Sequence, residues 1–343
     1  MKSLSKKVMC VIIIFMLLIS IAGCGGKNGN TTPNGNSEKP VEQSSGEKYM
    51  LGLSTATAGG TYYQVGGALA QMWTRGLKDE NISVSAQASN GSVDNVNRMK
   101  QGATELALCH NKVAMWAQNG DMMFEGQSYK DFSAISAMWP NIVEIVVTKD
   151  INNIQELKGK RVVVGAINSG NETDARLVFE TLGLEYTNKK VITPEYVGYN
   201  EAADALKNKK VQAAMYTGGL PTAAVMDVLV STDCKILSLD DETIKLLKEE
   251  YPFYEEFIIP KGTYPNQDED IKTVCYANLV VAKNDVPEDV VYKLISSFYE
   301  NLPDMQESFQ ALKTVSLEKA STGVPIPFHP GAEKYLIEKG ILK

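Results

Sequence analysis

Leu51-Gly52-Leu53-Ser54-Thr55-Ala56-Thr57-Ala58-Gly59-Gly60-Thr61-Tyr62-Tyr63 holds a short apolar run, a glycine turn and the start of a different pattern. Leu51–Ser54 has the length and composition of a strand. Beyond the turn Ala58-Gly59-Gly60, apolar residues return at Tyr62, Val65, Leu69 and Met72, near helical spacing. The same strand–turn–helix unit recurs outward. Ile82–Ala86 reads as a strand, and Asn90-Gly91-Ser92 opens a helix carrying Val93, Val96 and Met99. Leu106–Cys109 reads as another short strand. Farther on come a strand at Arg161–Ala166, a turn at Asn168–Asn171 and a helix through Leu177, Val178 and Leu182. A helix at Glu201–Asn208 leads to a strand at Val211–Tyr216, then Gly218-Gly219-Leu220-Pro221 and a further helix. This alternation predicts an α/β chain layered around largely parallel sheets.

Two runs echo each other. Ile142-Val143-Glu144-Ile145-Val146-Val147-Thr148-Lys149-Asp150 and Asn278-Leu279-Val280-Val281-Ala282-Lys283-Asn284-Asp285 are both β-rich and both end near a Lys and an Asp. A protein of two lobes needs two such strands if its chain passes out and back through one hinge. Two ordinary strands of one sheet read the same way, and the sequence alone leaves both open.

Before this region the chain has another character. Lys2, Lys6 and Lys7 precede an apolar run from Val8 to Ile19, the arrangement and length of a secretory signal. The run ends in Ile21-Ala22-Gly23-Cys24, which has the form of a bacterial lipobox, with the Cys24 thiol as lipid acceptor. Residues 1–23 are read as the signal peptide and 24–48 as a tether. The tether is almost entirely Gly, Asn, Thr, Ser, Pro, Glu, Gln and Lys, too polar to build a core. Such a segment reaches roughly 25–30 Å when flexible. Residues 49–343 are enough for two domains. Net charge is −7, and removing the three signal lysines makes the remainder more acidic still, which argues against a nucleic-acid partner. Cys109, Cys234 and Cys275 are read as buried thiols acting as small apolar side chains.

Signatures of catalysis are missing. The chain has no H-E-x-x-H, Walker A, G-x-S-x-G or G-x-G-x-x-G run, and its two histidines, His110 and His329, are far apart. No enzyme, metal or cofactor is expected. What recurs is a small-residue turn after a strand: Ala58-Gly59-Gly60-Thr61, Ser89-Asn90-Gly91-Ser92, Asn168-Ser169-Gly170-Asn171 and Thr217-Gly218-Gly219. Open α/β sheets bind ligands at the carboxyl ends of their strands. The free N–H groups of a helix start favour an anion there. Ordinary capping accounts for any one of these turns equally well. The candidate ligand-binding residues are therefore Gly59, Gly60, Thr61, Tyr62, Asn90, Gly91, Ser92, Ser169, Gly170, Asn171, Thr173, Gly218 and Gly219, with Tyr62 also fitting the apolar stripe of its helix. His110 and Asn111, just past a strand, join them as partners for a polar ligand. Arg176, one of only four arginines, is placed to pair with a second ligand carboxylate or to remain solvated.

These residues carry a resemblance. Thr57-Ala58-Gly59-Gly60-Thr61-Tyr62-Tyr63 with Val65-Gly66-Gly67-Ala68-Leu69-Ala70 resembles the opening motif of the TAXI family, the solute-binding subunits of one branch of the TRAP transporters. Ile259-Pro260-Lys261-Gly262-Thr263-Tyr264-Pro265-Asn266-Gln267-Asp268-Glu269-Asp270-Ile271-Lys272-Thr273-Val274 is similar to a long motif of that family. So is His329-Pro330-Gly331-Ala332-Glu333-Lys334-Tyr335 with Glu338-Lys339-Gly340. Leu157-Lys158-Gly159-Lys160-Arg161-Val162 is common to many binding proteins. The resemblance covers residues 49–343 and implies a two-lobed type II periplasmic-binding-protein-like fold with a central cleft and a hinge. One lobe would take residues 49–147 plus 276–343 and the other 148–275. It implies a TRAP membrane permease as partner and a small carboxylate or amino acid, such as glutamate, as ligand. Cys109-His110-Asn111 departs from the smaller or amide residues of many relatives, which leaves the ligand's identity open. A ligand-binding lipoprotein that reports to a sensor rather than a permease uses the same lobes and stays a second reading.

Overall fold

The computed structural model describes residues 48–188 and 190–343. The signal, Cys24 and all but the last residue of the tether lie outside the described residues. In chain order the larger elements are β1 (Tyr49–Ser54), α1 (Thr61–Gly76), β2 (Ile82–Gln87), α2 (Ser92–Lys100), β3 (Leu106–His110), α3 (Asn111–Asn119) and β4 (Phe132–Val147). Then come β5 (Arg161–Val163), α4 (Gly170–Thr181), β6 (Thr193–Glu195), α5 (Tyr199–Lys207), β7 (Ala213–Gly218), α6 (Ala223–Ser231), β8 (Lys235–Ile236) and α7 (Asp241–Glu250). The last are β9 (Glu255–Ile259), β10 (Ile271–Lys283), α8 (Glu288–Ser308) and α9 (Pro330–Glu338).

Two long antiparallel strands organise the sheet. β10 and β4 lie side by side at the centre of the order β2-β1-β3-β10-β4-β7-β5-β6. On one side Asn278–Ala282 of β10 pairs with β3, beyond which β1 and β2 run parallel. On the other, Ile142–Val147 of β4 pairs with β7, followed by parallel β5 and β6. The expected parallel pairing therefore holds in the outer strands, and the centre is antiparallel. Each echoed run belongs to a different half of the sheet: Ile142–Val147 to the second, Asn278–Lys283 to the first.

Pro140 marks the place where one half gives way to the other. It stands opposite Ala277, and the β10–β4 register shifts between Ala277 and Leu279. A proline has no N–H for the ladder and is tolerated in a strand interior chiefly at such an irregularity. β4 is buried almost throughout because helices cover both faces of the sheet. In the first half α1, α8 and α9 pack one face around Leu53, Leu69, Trp73, Leu294, Phe298 and Leu336. α2 and α3 pack the other around Val96, Met99, Val113 and Trp116. In the second half Val143, Ile145 and Val147 point into one apolar cluster and Ile142 and Val146 into another, the period of two that a pleated strand imposes. Glu144 falls on the second of these faces and is wholly buried. Its carboxylate accepts hydrogen bonds from Thr222 Oγ1 (2.6 Å) and from the Tyr264 hydroxyl. Burial raises its pKa to about 7, against the lowering effect of those two donors.

Several boundaries differ from the sequence reading. β5 stops at Val163 instead of Ala166. β7 runs on to Gly218, which pairs with Ile142, so Thr217-Gly218-Gly219 is a strand end and not a helix start. The following helix begins only at Ala223. Cys109 and Cys275 are buried, whereas Cys234 is half-buried. No helix among the described residues is long and apolar enough to cross a membrane.

Candidate ligand-binding site

The strand ends and helix starts of the two halves face one another across a small cavity. From the first half come Ala56, Thr57, Gly60, Thr61 and Tyr62, then Asn90, Gly91 and Ser92, and His110 at the end of β3. From the second come Ala166, Ser169, Gly170 and Asn171, with Tyr199 and Thr217. Non-atom space amounts to about 400 Å³ including the opening to solvent, but water-sized molecules can be centred in only about 30 Å³ of it. A single water needs roughly 10–15 Å³ by that measure. The halves are closed on each other.

Backbone geometry explains how they come so near. Gly91 has φ of +118°, a conformation that side chains disfavour. A Cβ there would lie 3.6 Å from Ser169 Cα, so the starts of α2 and α4 abut. Asp94 N–H donates to Asn168 O across the junction (2.9 Å). A Cβ on Gly170 would sit 2.3 Å from His110 Cε1; the bare backbone of α4 is what admits the imidazole. At the other end Thr61 Oγ1 donates to Gly219 O (3.2 Å) and accepts from Gly219 N–H (3.1 Å).

Four helices, α1, α2, α4 and α5, begin at the cavity, at Thr61, Ser92, Gly170 and Tyr199. Their first N–H groups have no partner within the helix and carry the positive end of its dipole. No Asp, Glu, Lys or Arg is among the lining residues. Burial raises the Tyr62 and Tyr199 pKa values, so both hydroxyls stay protonated. His110 is held well below the usual imidazole value, first by burial and then by the nearby charge of Lys112. Asn171 donates through Nδ2 to Met215 O (2.8 Å), while its buried Oδ1 has no partner in the protein. The site thus offers donors from helix starts and, in Asn171 Oδ1, a buried acceptor without a partner. Among the described residues no group of three or more His, Cys, Asp or Glu side chains is placed to hold a metal.

Ten of the residues singled out from sequence line the cavity: Gly60, Thr61, Tyr62, Asn90, Gly91, Ser92, His110, Ser169, Gly170 and Asn171. Six lie away from it. Gly59 packs against Asn200 and Gly218 against Thr222 and Thr61. Gly219 is pressed against the Trp139 ring. Asn111 donates to Gly323 O, and Thr173 donates back to Ser169 O within its own helix. Arg176 pairs with Glu172 at 2.8 Å and is partly exposed. Ala56, Thr57, Ala166, Tyr199 and Thr217 line the cavity without having been singled out. Gly198-Tyr199, another glycine before a helix, was the signal available for Tyr199. Tyr199 holds the β7 end by donating to Thr217 O (2.6 Å) and accepting from Thr217 N–H (3.0 Å).

Comparison with known proteins adds the family and the fold. The model of the NMT1-like family matches residues 53–340. The structure of periplasmic binding protein BugD is similar over 86% of this chain and 95% of its own, with 16% identity and a TM-score of 0.55. That of a protein from Bordetella bronchiseptica RB50 is similar over 86% of this chain and 81% of its own, with 16% identity and a TM-score of 0.52. At this identity the likeness is one of fold: the two-lobed α/β arrangement of the periplasmic binding proteins.

Proposed function

This chain belongs to the NMT1-like family, a periplasmic solute-binding type, and from that premise we propose that it is a receptor of TAXI type which captures a small carboxylate or amino acid by lobe closure and hands it to a TRAP permease. The observation that carries the reading is the cavity itself, with four helix starts from opposite halves at one uncharged space. A carboxylate is met there by backbone N–H groups and hydroxyls rather than by an arginine. The unpartnered Asn171 Oδ1 calls for a donor on the ligand, as the ammonium of an amino acid such as glutamate supplies. Gly60, Thr61, Tyr62, Asn90, Gly91, Ser92, His110, Ser169, Gly170 and Asn171 are the residues to which we assign these contacts.

The space now available holds about two waters. Entry of an amino acid requires the halves to part, and only contacts stronger in the closed form drive them together again. The sequence reading puts residues 49–147 plus 276–343 in one lobe and 148–275 in the other; we move the first crossing to near Pro140, opposite Ala277, because Ile142–Val147 pairs with β7 and packs into the second half's clusters. A micromolar receptor needs about 8 kcal/mol. Charge-assisted hydrogen bonds of about 1.5–3 kcal/mol each reach that figure after ordering costs. The reading includes an extracytoplasmic location with the lipid on Cys24, and no part in catalysis. The TAXI motifs favour a permease as partner over a sensor.

Thermal melting of the purified protein against amino acids and carboxylates tests the proposal. Acids that bind raise Tm, by about 2.7 kcal/mol of stability at a hundred times Kd. A neutral amide analogue that stabilises as well as its acid removes the carboxylate from the reading.

A further inference from the structure

Behind the cavity wall lies a charged pair that no lining residue exposes to it. Lys112 on α3 and Asp174 on α4 are in direct contact, and neither side chain reaches solvent. The Lys112 ammonium lies 3.6 Å from the centroid of the Tyr276 ring, and 4.9 and 5.0 Å from those of Tyr254 and Phe253. Asp174 also accepts from the Tyr254 and Tyr276 hydroxyls, each at 2.6 Å. His110 stands between this group and the cavity, with Nδ1 3.5 Å from the Asp174 carboxylate.

The hydrogen bonds around His110 define its state. Tyr276 spends its one proton on Asp174, so the 2.9 Å contact to His110 Nδ1 is donated by the ring. Asn141 gives one amide proton to the Tyr276 hydroxyl and the other to His110 Nε2 (3.1 Å). The Asn141 amide is itself oriented, because its Oδ1 accepts from Asn278 Nδ2 (3.0 Å), whose own Oδ1 is taken by the Tyr62 hydroxyl. A proton on Nε2 would meet the Asn141 amide protons at 3.1 Å, and the Tyr276 hydroxyl oxygen is farther from Nε2 (3.3 Å) than from Nδ1 (2.9 Å). The other groups against the ring are uncharged: the edge of Tyr62, with centroids 5.8 Å apart, and the backbone of Gly170. The charged groups that reach it are Asp174, which attracts a proton to it, and Lys112, which answers Asp174.

We propose that Lys112, although it does not line the cavity, is a specificity-determining residue of it: by meeting the charge of Asp174 it lets His110 face the ligand as a neutral imidazole protonated at Nδ1. The inference rests on reading the cavity as the ligand site, but its test is read on the imidazole. Take the charge from Lys112, and a buried carboxylate that accepts from two tyrosine hydroxyls loses the cation in contact with it. His110 is the base beside it and takes up one proton, and the cavity then presents a cation that favours a further negative group.

Only two histidines exist, so imidazole nitrogen NMR of the full chain resolves them, with His329→Gln for assignment. We expect the wild-type His110 to be neutral and Nδ1-protonated at pH 6. In Lys112→Gln, which still donates to Asp174 and so keeps the packing, it should be cationic at pH 6, a rise of at least tenfold in proton affinity. Lys112→Arg and the double variant Lys112→Gln/Asp174→Asn should return it to neutral. By calorimetry, the ratio of L-glutamate to L-glutamine affinity should rise at least threefold in Lys112→Gln. A neutral imidazole in Lys112→Gln, or an unchanged ratio beside a cationic one, overturns the proposal. Should that variant not fold, an imidazolium or an Nε2-protonated ring in the wild type at pH 6 overturns it too. Failure of every acid and amino acid to bind would instead remove the function proposed above and leave the imidazole result standing.

Discussion

At the scale of single residues, Arg176 separates two accounts of how an anion is held. It is engaged with Glu172 in an i,i+4 pair and its side chain is 41% exposed, whereas the helix starts face the cavity directly. Its partner Glu172 is itself buried, so the pair stabilises more than the about 0.3–0.5 kcal/mol of an exposed i,i+4 pair. Arg176→Gln should therefore lower Tm measurably yet change ligand affinity less than about twofold by calorimetry. Loss of most of the affinity would make Arg176 the carboxylate's partner after all. The residue scale also shows what the sequence could convey. Glycines and hydroxyls after strands marked the cavity because close approach of backbones demands small side chains. The Lys112–Asp174 contact joins two helices whose spacing in sequence carries no pattern, and nothing before the fold could pair them.

Elements were legible where their local chemistry was strong. Ser169 is the N-cap of α4, accepting from Glu172 N–H at 2.9 Å, and the turn containing it was recognisable as a helix opening. Because its Oγ lone pair serves the helix, Ser169→Ala should cost about 1 kcal/mol of stability, seen as a lowered Tm, whether or not ligand is present. An unchanged Tm would show the hydroxyl to be idle as a cap. β4 was legible only in part. Its Ile142–Val147 portion reads as a strand, but Trp139-Pro140 interrupts the pattern, and the ten residues from Phe132 to Asn141 were not recognised as its continuation. A proline that should end a strand instead sits at the irregularity the fold needs there, a tertiary circumstance. β7 was displaced by two residues for a similar reason: Gly218 has poor strand propensity, yet its backbone pairs with Ile142.

For the whole molecule, three buried groups, one carboxyl and two imidazoles, give stability opposite pH dependences. The folded-state pKa of Glu144 is raised to about 7, so the folded protein holds a proton that the unfolded chain releases from about pH 4.5 upward. Stability on this account falls as pH rises from about 4.5 to about 7, by up to roughly 3 kcal/mol, and is level above. His110 and His329 have lowered values, so they remove stability as pH falls below about 6.5. Glu144→Gln should abolish the first slope and leave the second, as denaturant melts between pH 5 and 8 would read; a variant with the wild-type slope assigns it elsewhere. The order of completion of the fold follows from the way the chain crosses the sheet. All but one residue of the second half's two apolar clusters lie within residues 142–275, and that one, Tyr276, follows directly. The cluster beneath α1 joins Leu51–Val84 to Val286–Leu336 and stays unfilled until the last tenth of the chain has arrived. A chain emerging from its amino end thus has to keep Leu53, Leu69 and Trp73 unsatisfied while the second half is already complete. Ending the chain before Val286 should leave a species with native second-half protection against hydrogen exchange and an unprotected, aggregation-prone first half.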